Sequence, residues 1–324
     1  MSQLQTTVVP EKSRSLESGW THWRDYFRDR FPLSLYAVLI ASFYLVNHAV
    51  AQAFAHPNRS IHLDPRVFAG WLVMLCLFFQ LRVFDDDKDY LDDCQHFPER
   101  VLQRGIVTRR QLFGLAGVAF LVEIIFSAIV GLPALTAAAI ASGWTLLMWR
   151  EFFARDWLRR HFLVSALLHL LVMPLLALAV FSFSTDQYPW EAPLGFLAFS
   201  VLGYLLAFTA EIARKVRAPE DERFGVNTYT RVLGISRTVF LLGGLTLIEA
   251  LLAGSLGLVL GLSSSFFLVL GQLVTLFLTA VLVFRIRQNR GAARGVQTCS
   301  AVFLLGFDLN WLVALGLQLG INGQ

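Results

Sequence analysis

Six aspartates lie within nine residues of this chain, directly after an apolar stretch that is long enough to cross a membrane. They are Asp85, Asp86, Asp87, Asp89, Asp92 and Asp93. The first, fourth and fifth are spaced i, i+4 and i+7, so on a helix they share one face. Carboxylates gathered in this way are hard oxygen ligands, suited to Mg2+ that is carried together with a substrate phosphate. The other three cannot all face the same site, and we interpret them as solvated loop residues.

A second polar segment, residues 214–236, also follows an apolar stretch. Glu211 and Lys215 are spaced i, i+4 at its start, Pro219 ends the helix, and Asp221 follows in an acidic run. A third connection, residues 150–161, is mostly basic. Carboxylates beside guanidinium groups fit a metal-bridged diphosphate, because the carboxylates hold Mg2+ and the basic groups take the remaining phosphate oxygens.

The elements that must position these groups are membrane helices. Hydrophobic residues make up 56% of the 324 residues and charged residues 15%, against about 25% charged in soluble domains. Apolar windows of about 20 residues recur along the chain, which predicts an all-α, polytopic membrane protein with nine helices around a central cavity. The predicted spans are 33–55, 67–84, 112–131, 133–149, 162–183, 193–213, 237–261, 266–284 and 298–319.

The basic residues predict the orientation. With the N-terminus in the cytoplasm, 25 of the 27 Lys and Arg residues fall on the cytoplasmic side, and Arg59 and Arg66 fall outside. This asymmetry follows the positive-inside rule and puts the C-terminus outside, in what we expect to be a bacterial inner membrane. Residues 1–32 are expected to form a cytoplasmic segment at the bilayer interface, followed by the nine-helix domain over 33–324. The basic pI then reflects topology and anionic lipid, with no nucleic-acid footprint.

The first aspartate segment resembles a known family. The stretch from Phe84 to Thr108 contains Asp85-x-x-x-Asp89, Pro98-Glu99-Arg100 and Arg104-Gly105-Ile106. It is similar to the first aspartate motif of the UbiA-type intramembrane prenyltransferases. The resemblance implies nine membrane helices with two aspartate-rich loops, after the second and sixth helices. It also implies Mg2+, a prenyl diphosphate donor, and an aromatic or lipid acceptor.

The resemblance and the loop chemistry together give a set of expected site residues. The expected metal ligands are Asp85, Asp89, Asp92, Glu211 and Asp221, of which Asp85, Asp89 and Asp221 are also the expected catalytic residues. The expected diphosphate contacts are Arg100, Arg104, Arg150, Arg214 and Lys215.

The chain also departs from the family pattern. Leu81-Arg82 replaces the usual Asn-Asp at the start of the first motif. Arg217 stands where the second motif has its earlier aspartate, and Glu211 is the candidate replacement for that carboxylate. Arg150 matches the basic residue after the fourth helix, without the usual tyrosine four residues earlier.

Two alternatives remain open at this point. A terpene cyclase of the same family would share the ionisation machinery and need no acceptor, and a lipid-binding or transport protein could keep the fold without catalysis. Glu123, Glu249 and Asp308 fall inside predicted spans. Ionisable groups at that depth are candidates for function, although a satisfied hydrogen bond between helices explains them equally well.

Overall fold

The computed structural model describes residues 19–57, 59–223 and 225–323. In these residues nine helical spans are long and apolar enough to cross a membrane, which confirms the predicted all-α membrane fold. The elements are α1 (Gly19–Arg30), α2 (Leu33–Ala55), β1 (Ile61–Leu63), α3 (Pro65–Lys88), α4 (Tyr90–His96), α5 (Arg109–Val130), α6 (Leu132–Trp149), α7 (Arg155–Arg160), α8 (Phe162–Leu170), α9 (Val172–Thr185), α10 (Leu194–Arg214), α11 (Tyr229–Val232), α12 (Ile235–Val259), α13 (Ser264–Arg287), α14 (Arg290–Leu319) and β2 (Ile321–Gly323). The spans are α2, α3, α5, α6, α8 with α9, α10, α12, α13 and α14.

Local sequence explains where several spans begin. The Asp64 side chain accepts a hydrogen bond from the Arg66 amide, and Pro65 occupies the first helical position of α3. Thr108 and Gln111 form a capping box at the start of α5. Each cap satisfies backbone amides that the first helical turn would otherwise leave without a partner.

The predicted span 162–183 consists of two helices, α8 and α9, that meet at Leu171. Pro174 has no amide hydrogen, so it cannot donate the helical hydrogen bond to Leu170. The helical hydrogen-bond pattern is therefore interrupted inside the membrane-spanning segment, and α8 is a separate short helix.

Helix α3 runs four residues beyond the predicted span, from Pro65 to Lys88. Arg82 forms an ion pair with Asp86 at i, i+4, and Lys88 pairs with Asp85 at i, i+3. Hydropathy alone misses this extension because the last turn is charged, yet those charges form pairs that support the helix.

The amphipathic helix α1 packs against α3. Tyr26 and Phe31 are fully buried, and Phe31 contacts the ring of Phe79 at 5.5 Å between centroids. The Tyr26 hydroxyl donates to Asp86 at 2.9 Å, and the Arg30 guanidinium also donates to that carboxylate. Asp86 is 1% exposed, so our interpretation of it as a solvated loop residue is wrong. Its charge is compensated by partners from α1 and α3, and the contact between α1 and Asp86 was not predicted from the sequence.

The two ends of the bundle differ in character. At one end β1 and β2 pair in parallel, with Ile61 opposite Ile321. At the other end α3 and α10 finish, α5 and α14 begin, and the charged loops gather. We call this second end the aspartate face. Since β1 follows the first span and β2 follows the ninth, their pairing agrees with an even number of crossings between them.

Two apolar cores stabilise the bundle, one around α3, α5, α6 and α9 and the other around α10, α12, α13 and α14. Helix α2 contributes to both. A cavity of about 190 Å³ lies between α2, α3, α9, α10 and α14, where the two cores meet. The predicted central cavity is therefore present.

Candidate functional site

Helix α3 delivers two carboxylates to the aspartate face. The amide of Asp89 donates to the Asp85 carbonyl at 3.0 Å, so the helical turn continues and the two side chains lie one turn apart. The ammonium of Lys88 donates to the Asp85 carboxylate at 3.0 Å. The Lys88 side chain is 13% exposed, whereas that of Asp85 is 48% exposed. We call Asp85, Lys88 and Asp89 the α3 cluster.

The electrostatics of the α3 cluster favour a further cation. Asp89 is open to water on one side, yet the protein atoms around it remove enough water to raise the pKa of its carboxyl above the usual value. The carboxylates of Asp85 and Glu151 add to the rise, and the Lys88 ammonium opposes it. Glu151 already pairs with Arg155 at 2.7 Å and Asp85 with Lys88, whereas Asp89 has no ion-pair partner in the described residues. A divalent cation beside Asp85 and Asp89 would therefore relieve their repulsion.

An unusual turn after α6 brings Glu151 to this cluster. Glu151, Phe152 and Phe153 have φ values of 48°, 52° and 55°, a left-handed conformation that costs non-glycine residues about 1–3 kcal/mol each. The ring of Phe152 packs on that of His169 at 5.7 Å between centroids. The His169 Nε2 is buried and has no hydrogen-bond partner among the described residues. Sequence reasoning missed these residues, since no local pattern predicts three consecutive left-handed residues here.

A second charged group lies at the end of α10. Glu211 accepts from Lys215 at 2.6 Å and from Arg214 at 2.5 Å, and we call these three residues the α10 cluster. Lys215 also lies 5.4 Å from the centre of the Phe162 ring, which packs on Tyr229 at 4.9 Å. Burial and the neighbouring Glu211 carboxylate raise the pKa of Tyr229. Its hydroxyl is therefore a neutral donor, and it has no partner among the described residues.

Asp221 lies in a polar pocket of about 510 Å³ between the second loop and α14. Arg290 Nε donates to both Asp221 oxygens at 2.9 Å, and these bonds hold the pKa of Asp221 below its usual range. The charges of Arg294 and Arg217 act in the same direction. Phe97, from the first loop, closes another side of this pocket. The arginines around this carboxylate could also bind phosphate oxygens.

Two further aspartates of the run hold the aspartate face together. Asp87 accepts from Arg109 Nε at 2.6 Å, and Asp93 accepts from Arg100 at 2.5 Å. Their side chains are 11% and 12% exposed, so the interpretation of them as solvated loop residues is wrong. The Asp87 pair joins the end of α3 to the start of α5, and the Asp93 pair closes the first loop on itself. Arg100, an expected diphosphate contact, is engaged in the second of these pairs.

The remaining expected residues lie nearer to solvent. Asp92 pairs with Arg159 at 2.8 Å, and both side chains are about half exposed. Arg150 stacks on the Trp149 ring at 4.4 Å. Arg104 is exposed, and no side-chain hydrogen bond or ion pair to it is present within the described part of the chain. Arg104 and Arg150 thus keep guanidinium groups available to a ligand at this face.

The first and second loops touch each other. The ring of His96 lies against Gly225, where a Cβ would stand 3.4 Å from its Nε2. Across the described ranges, no hydrogen bond or ion pair joins the α3 cluster to the α10 cluster or to Asp221. Nor do three His, Cys, Asp or Glu side chains come together there as a ready-made metal site. The structure therefore places the predicted ligands on one face but in separate groups.

The central cavity lies on the membrane side of these charged groups and is lined mainly by apolar residues. Phe78 lines it and precedes Asp85 by seven residues, so both lie on one face of α3 and are about 10 Å apart along the axis. Phe43, Phe199 and Phe307 add aromatic surface. A charged face above an aromatic cavity suits an amphiphile that has a charged head and a hydrocarbon tail.

The fold and site define a polytopic membrane protein with a charged face above an aromatic cavity. The model of the UbiA prenyltransferase family matches residues 36–315. The chain belongs to this family.

Two solved structures share the fold. One, described in a study of digeranylgeranylglyceryl phosphate synthase in membranes, is 14% identical, with a TM-score of 0.63 over 92% of this chain and 98% of that chain. The other, an apo UbiA homologue from Aeropyrum pernix K1, is 13% identical, with a TM-score of 0.60 over 86% and 97%. No protein of curated function matches the chain in sequence. At these identities the likeness is one of fold.

Proposed function

We propose that the protein ionises an allylic prenyl diphosphate with the help of Mg2+ and transfers the prenyl group to an aromatic or lipid acceptor. The observation that carries this proposal is the pair Asp85 and Asp89, one helical turn apart on the aspartate face, with Asp85 about 10 Å above an aromatic cavity. Family membership supports the same class of reaction.

The donor set of the α3 cluster fits Mg2+. This ion is usually held by one or two carboxylates together with substrate phosphates and water, without a full cage of protein ligands. Asp85 and Asp89 supply such a pair, which is why the lack of a three-residue cluster in the described residues is compatible with it. When bound with the donor, Mg2+ would neutralise the charge that develops on the leaving diphosphate. Asp221, Glu211 and Asp92 remain proposed additional ligands.

The basic residues of the face hold the leaving group in this proposal. Lys88 lies within the α3 cluster, and we add it to the expected contacts. Lys215 and Arg214 reach the face from the α10 cluster, and the neutral Tyr229 hydroxyl offers one more donor. Charge-assisted bonds to phosphate oxygens strengthen as the carbon–oxygen bond breaks, so they stabilise the transition state more than the bound donor. Arg100, Arg104 and Arg150 are proposed as outer contacts.

The cavity protects the carbon that loses the diphosphate. When the C1–O bond breaks, its electron pair leaves with the diphosphate, and an allylic cation remains until an acceptor atom bonds to it. Aromatic faces stabilise a cation within about 6 Å, and Phe43, Phe78 and Phe307 line the space below the cluster. Exclusion of water there prevents premature conversion of the cation to an alcohol.

For the membrane arrangement we propose that the aspartate face is cytoplasmic, with the N-terminus inside and the C-terminus outside. The distribution of Lys and Arg supports it, because the expected cytoplasmic stretches carry nearly all of them. A bacterial inner membrane is the proposed location, with the bilayer as solvent for the donor chain and the acceptor.

The test uses purified protein, Mg2+ and prenyl diphosphates of 10, 15 and 20 carbons. We expect diphosphate release that EDTA abolishes and that Asp85→Ala and Asp89→Ala reduce by about 100-fold, as expected for loss of a preorganised charged contact. Asp156→Asn is the matched control, since Asp156 is an exposed aspartate on the same face, and it should release diphosphate at the wild-type rate.

The products then decide the reaction type. Diphosphate release that rises when a phenolic or lipid acceptor is added supports the transferase. Cyclic hydrocarbons or alcohols formed without an acceptor would replace it by the cyclase. Mg2+-dependent turnover that both alanine variants retain in full would refute the metal assignment, and no release from any donor would favour a lipid-binding protein.

A further inference from the structure

Asp308 is the one carboxylate on the wall of the central cavity within the described residues. The Ser42 hydroxyl donates to its Oδ2 at 2.9 Å, whereas its Oδ1 makes no hydrogen bond to the described protein. The side chain is partly exposed although it lies well inside α14. One oxygen of this carboxyl group is therefore fixed by the protein, and the other has no hydrogen-bond partner among the described residues on the cavity wall.

The two other acidic residues that lie well inside a span are packed differently. Glu123 is 1% exposed and bonded to Gln80 at 2.8 Å, and Glu249 is 0% exposed and bonded to Thr209 at 2.6 Å. Neither lines the cavity. Glu123 and Glu249 thus link neighbouring helices. The second oxygen of Glu249 also has no partner among the described residues, but it is buried away from the cavity, whereas Asp308 can be reached by a molecule in the cavity. Burying a carboxyl group at membrane depth costs free energy, so such groups are candidates for a functional role. Asp308 is the stronger candidate because it can contact a ligand in the cavity.

Asp308 also lies at the level that the hydrocarbon chain of a bound donor would pass. Its partner Ser42 precedes Phe43, whose ring contacts Phe78 at 6.1 Å between centroids. Phe78 is about 10 Å below Asp85 on α3. A prenyl chain whose diphosphate is held at the α3 cluster would pass this level. The volume of about 190 Å³ exceeds the 150 Å³ of a cavity that binds benzene, so one ring or a short chain segment fits beside the carboxyl group.

We infer that Asp308 takes the proton that is released when the allylic cation is captured, a role that rests on the proposed function. The cation forms a bond to an acceptor oxygen or carbon, or to a double bond of its own chain. The captured product carries the positive charge until it loses a proton from that oxygen or from a neighbouring carbon. The Asp308 carboxylate accepts the proton at Oδ1, becomes neutral, and returns the proton to water once the product has left.

Ser42 acts as a positioning residue in this scheme. Its hydrogen bond holds Oδ2 and so fixes the orientation of the carboxyl group on the cavity wall. A threonine at position 42 keeps the hydroxyl group, and an alanine removes it. The pair Ser42→Ala and Ser42→Thr therefore separates loss of orientation from a change of side-chain size.

The experiment follows two readouts in the same reactions, diphosphate release and product identity, with donors of 10, 15 and 20 carbons, with and without a phenolic acceptor. Asp308→Asn should release diphosphate within about threefold of wild type, because ionisation takes place at the α3 cluster. Its yield of the wild-type product should fall by about 100-fold, the usual contribution of a general base, and prenyl alcohol from capture by water should replace that product. Ser42→Ala should show a smaller shift of the same kind, and Ser42→Thr should restore the wild-type products.

Glu249→Gln is the matched control, because it removes a carboxylate of similar depth outside the cavity, and its products should be those of wild type. Unchanged products from Asp308→Asn, or an equal change from Glu249→Gln, would overturn the role of Asp308 while the proposed function stands. If Asp308→Asn does not fold, Asp308→Glu and Ser42→Ala provide the same decision from their product ratios. No diphosphate release by wild type from any donor would instead refute the proposed function, and the proton role with it.

Discussion

Replacing two neighbouring aspartates, Asp85 and Asp86, is expected to have different consequences, a loss of activity in one case and a loss of stability in the other. Asp86 is 1% exposed and receives hydrogen bonds from Tyr26, Arg30 and Arg82. Asp85 is half exposed at its side chain and has one ion-pair partner, Lys88. Asp86→Ala should therefore damage the fold, whereas Asp85→Ala should damage the reaction.

The magnitudes follow from burial. Removing one member of a buried charge network leaves the other charges uncompensated and costs about 3–5 kcal/mol. For Asp86→Ala, two guanidinium groups would lose their common acceptor, and α1 would lose its polar anchor on α3. Asp85 is half exposed, and the Asp89 carboxylate stays near the Lys88 ammonium when Asp85 is replaced. The lost pair therefore contributes about 0–1 kcal/mol, and the free energy of unfolding of Asp85→Ala should stay close to that of wild type.

The assay compares denaturant unfolding with diphosphate release for the same detergent preparations. Asp86→Ala should unfold at clearly lower denaturant concentration and expose α1 to protease. Asp85→Ala should unfold like wild type and release diphosphate about 100-fold more slowly, which corresponds to about 2.7 kcal/mol of lost transition-state stabilisation. Glu99→Gln, at an exposed acidic residue of the same loop, should change neither quantity.

Two results would refute this reasoning. If Asp86→Ala unfolds like wild type and loses turnover, then Asp86 belongs to the reaction site and its buried network is not structural. If Asp85→Ala lowers stability by several kcal/mol, its loss of activity would follow from unfolding, and the α3 cluster could no longer be assigned to the metal on that ground.

Three further predictions concern other parts of the molecule. Arginine hydrogen bonds lower the pKa of Asp221 from its usual 3.8, so its ion pair stabilises the protein above that pH and the stabilisation is lost as the pH falls through the lowered pKa. The melting-temperature difference between wild type and Asp221→Asn should therefore shrink over that acidic range. A difference that grows there would contradict the ion pair. A Cβ at Gly70 would lie 2.2 Å from the buried Tyr44 hydroxyl, so Gly70→Ala should lower the unfolding free energy by about 1–3 kcal/mol. Gly114→Ala is the control, because no atom lies within 4 Å of the added Cβ, and it should leave the unfolding free energy unchanged. Equal effects of the two substitutions would contradict the close approach of α2 and α3. Gly203 lines the cavity and has open space at its Cβ, so Gly203→Leu should reduce turnover of the 20-carbon donor more than that of the 10-carbon donor, and equal loss for both would show that the chain does not occupy this cavity.

Much of the fold could be predicted because membrane spans leave a strong signal. A span needs about 20 apolar residues, and α2 (33–55) was predicted at its observed bounds. The ends were less accurate where charges belong to the helix, as in the last turn of α3, and where a proline interrupts it, as at Pro174. Hydropathy measures solvation of single residues and does not register which charges pair.

The site was predicted less completely, because its geometry depends on contacts between distant segments. The spacing of Asp85 and Asp89 is local and could be recognised in the sequence. The burial of Asp86 arises from α1, about 60 residues earlier in the chain. Glu151 reaches the cluster through a left-handed turn, and no sequence pattern specifies such a backbone. Lys88 lies within the acidic run, three residues after Asp85, so its ion pair with Asp85 could have been predicted from the sequence.

The central claim is that Asp85 and Asp89 hold the donor diphosphate through a divalent cation. The most direct measurement is the structure of the protein with Mn2+ in place of Mg2+ and a non-reactive prenyl thiodiphosphate, using the anomalous signal of the metal. We predict metal density about 2.0–2.2 Å from carboxylate oxygens of Asp85 and Asp89, with the prenyl chain passing Phe78 into the cavity. Metal bound elsewhere, or a diphosphate bound by arginines alone with no metal at these two aspartates, would contradict the claim.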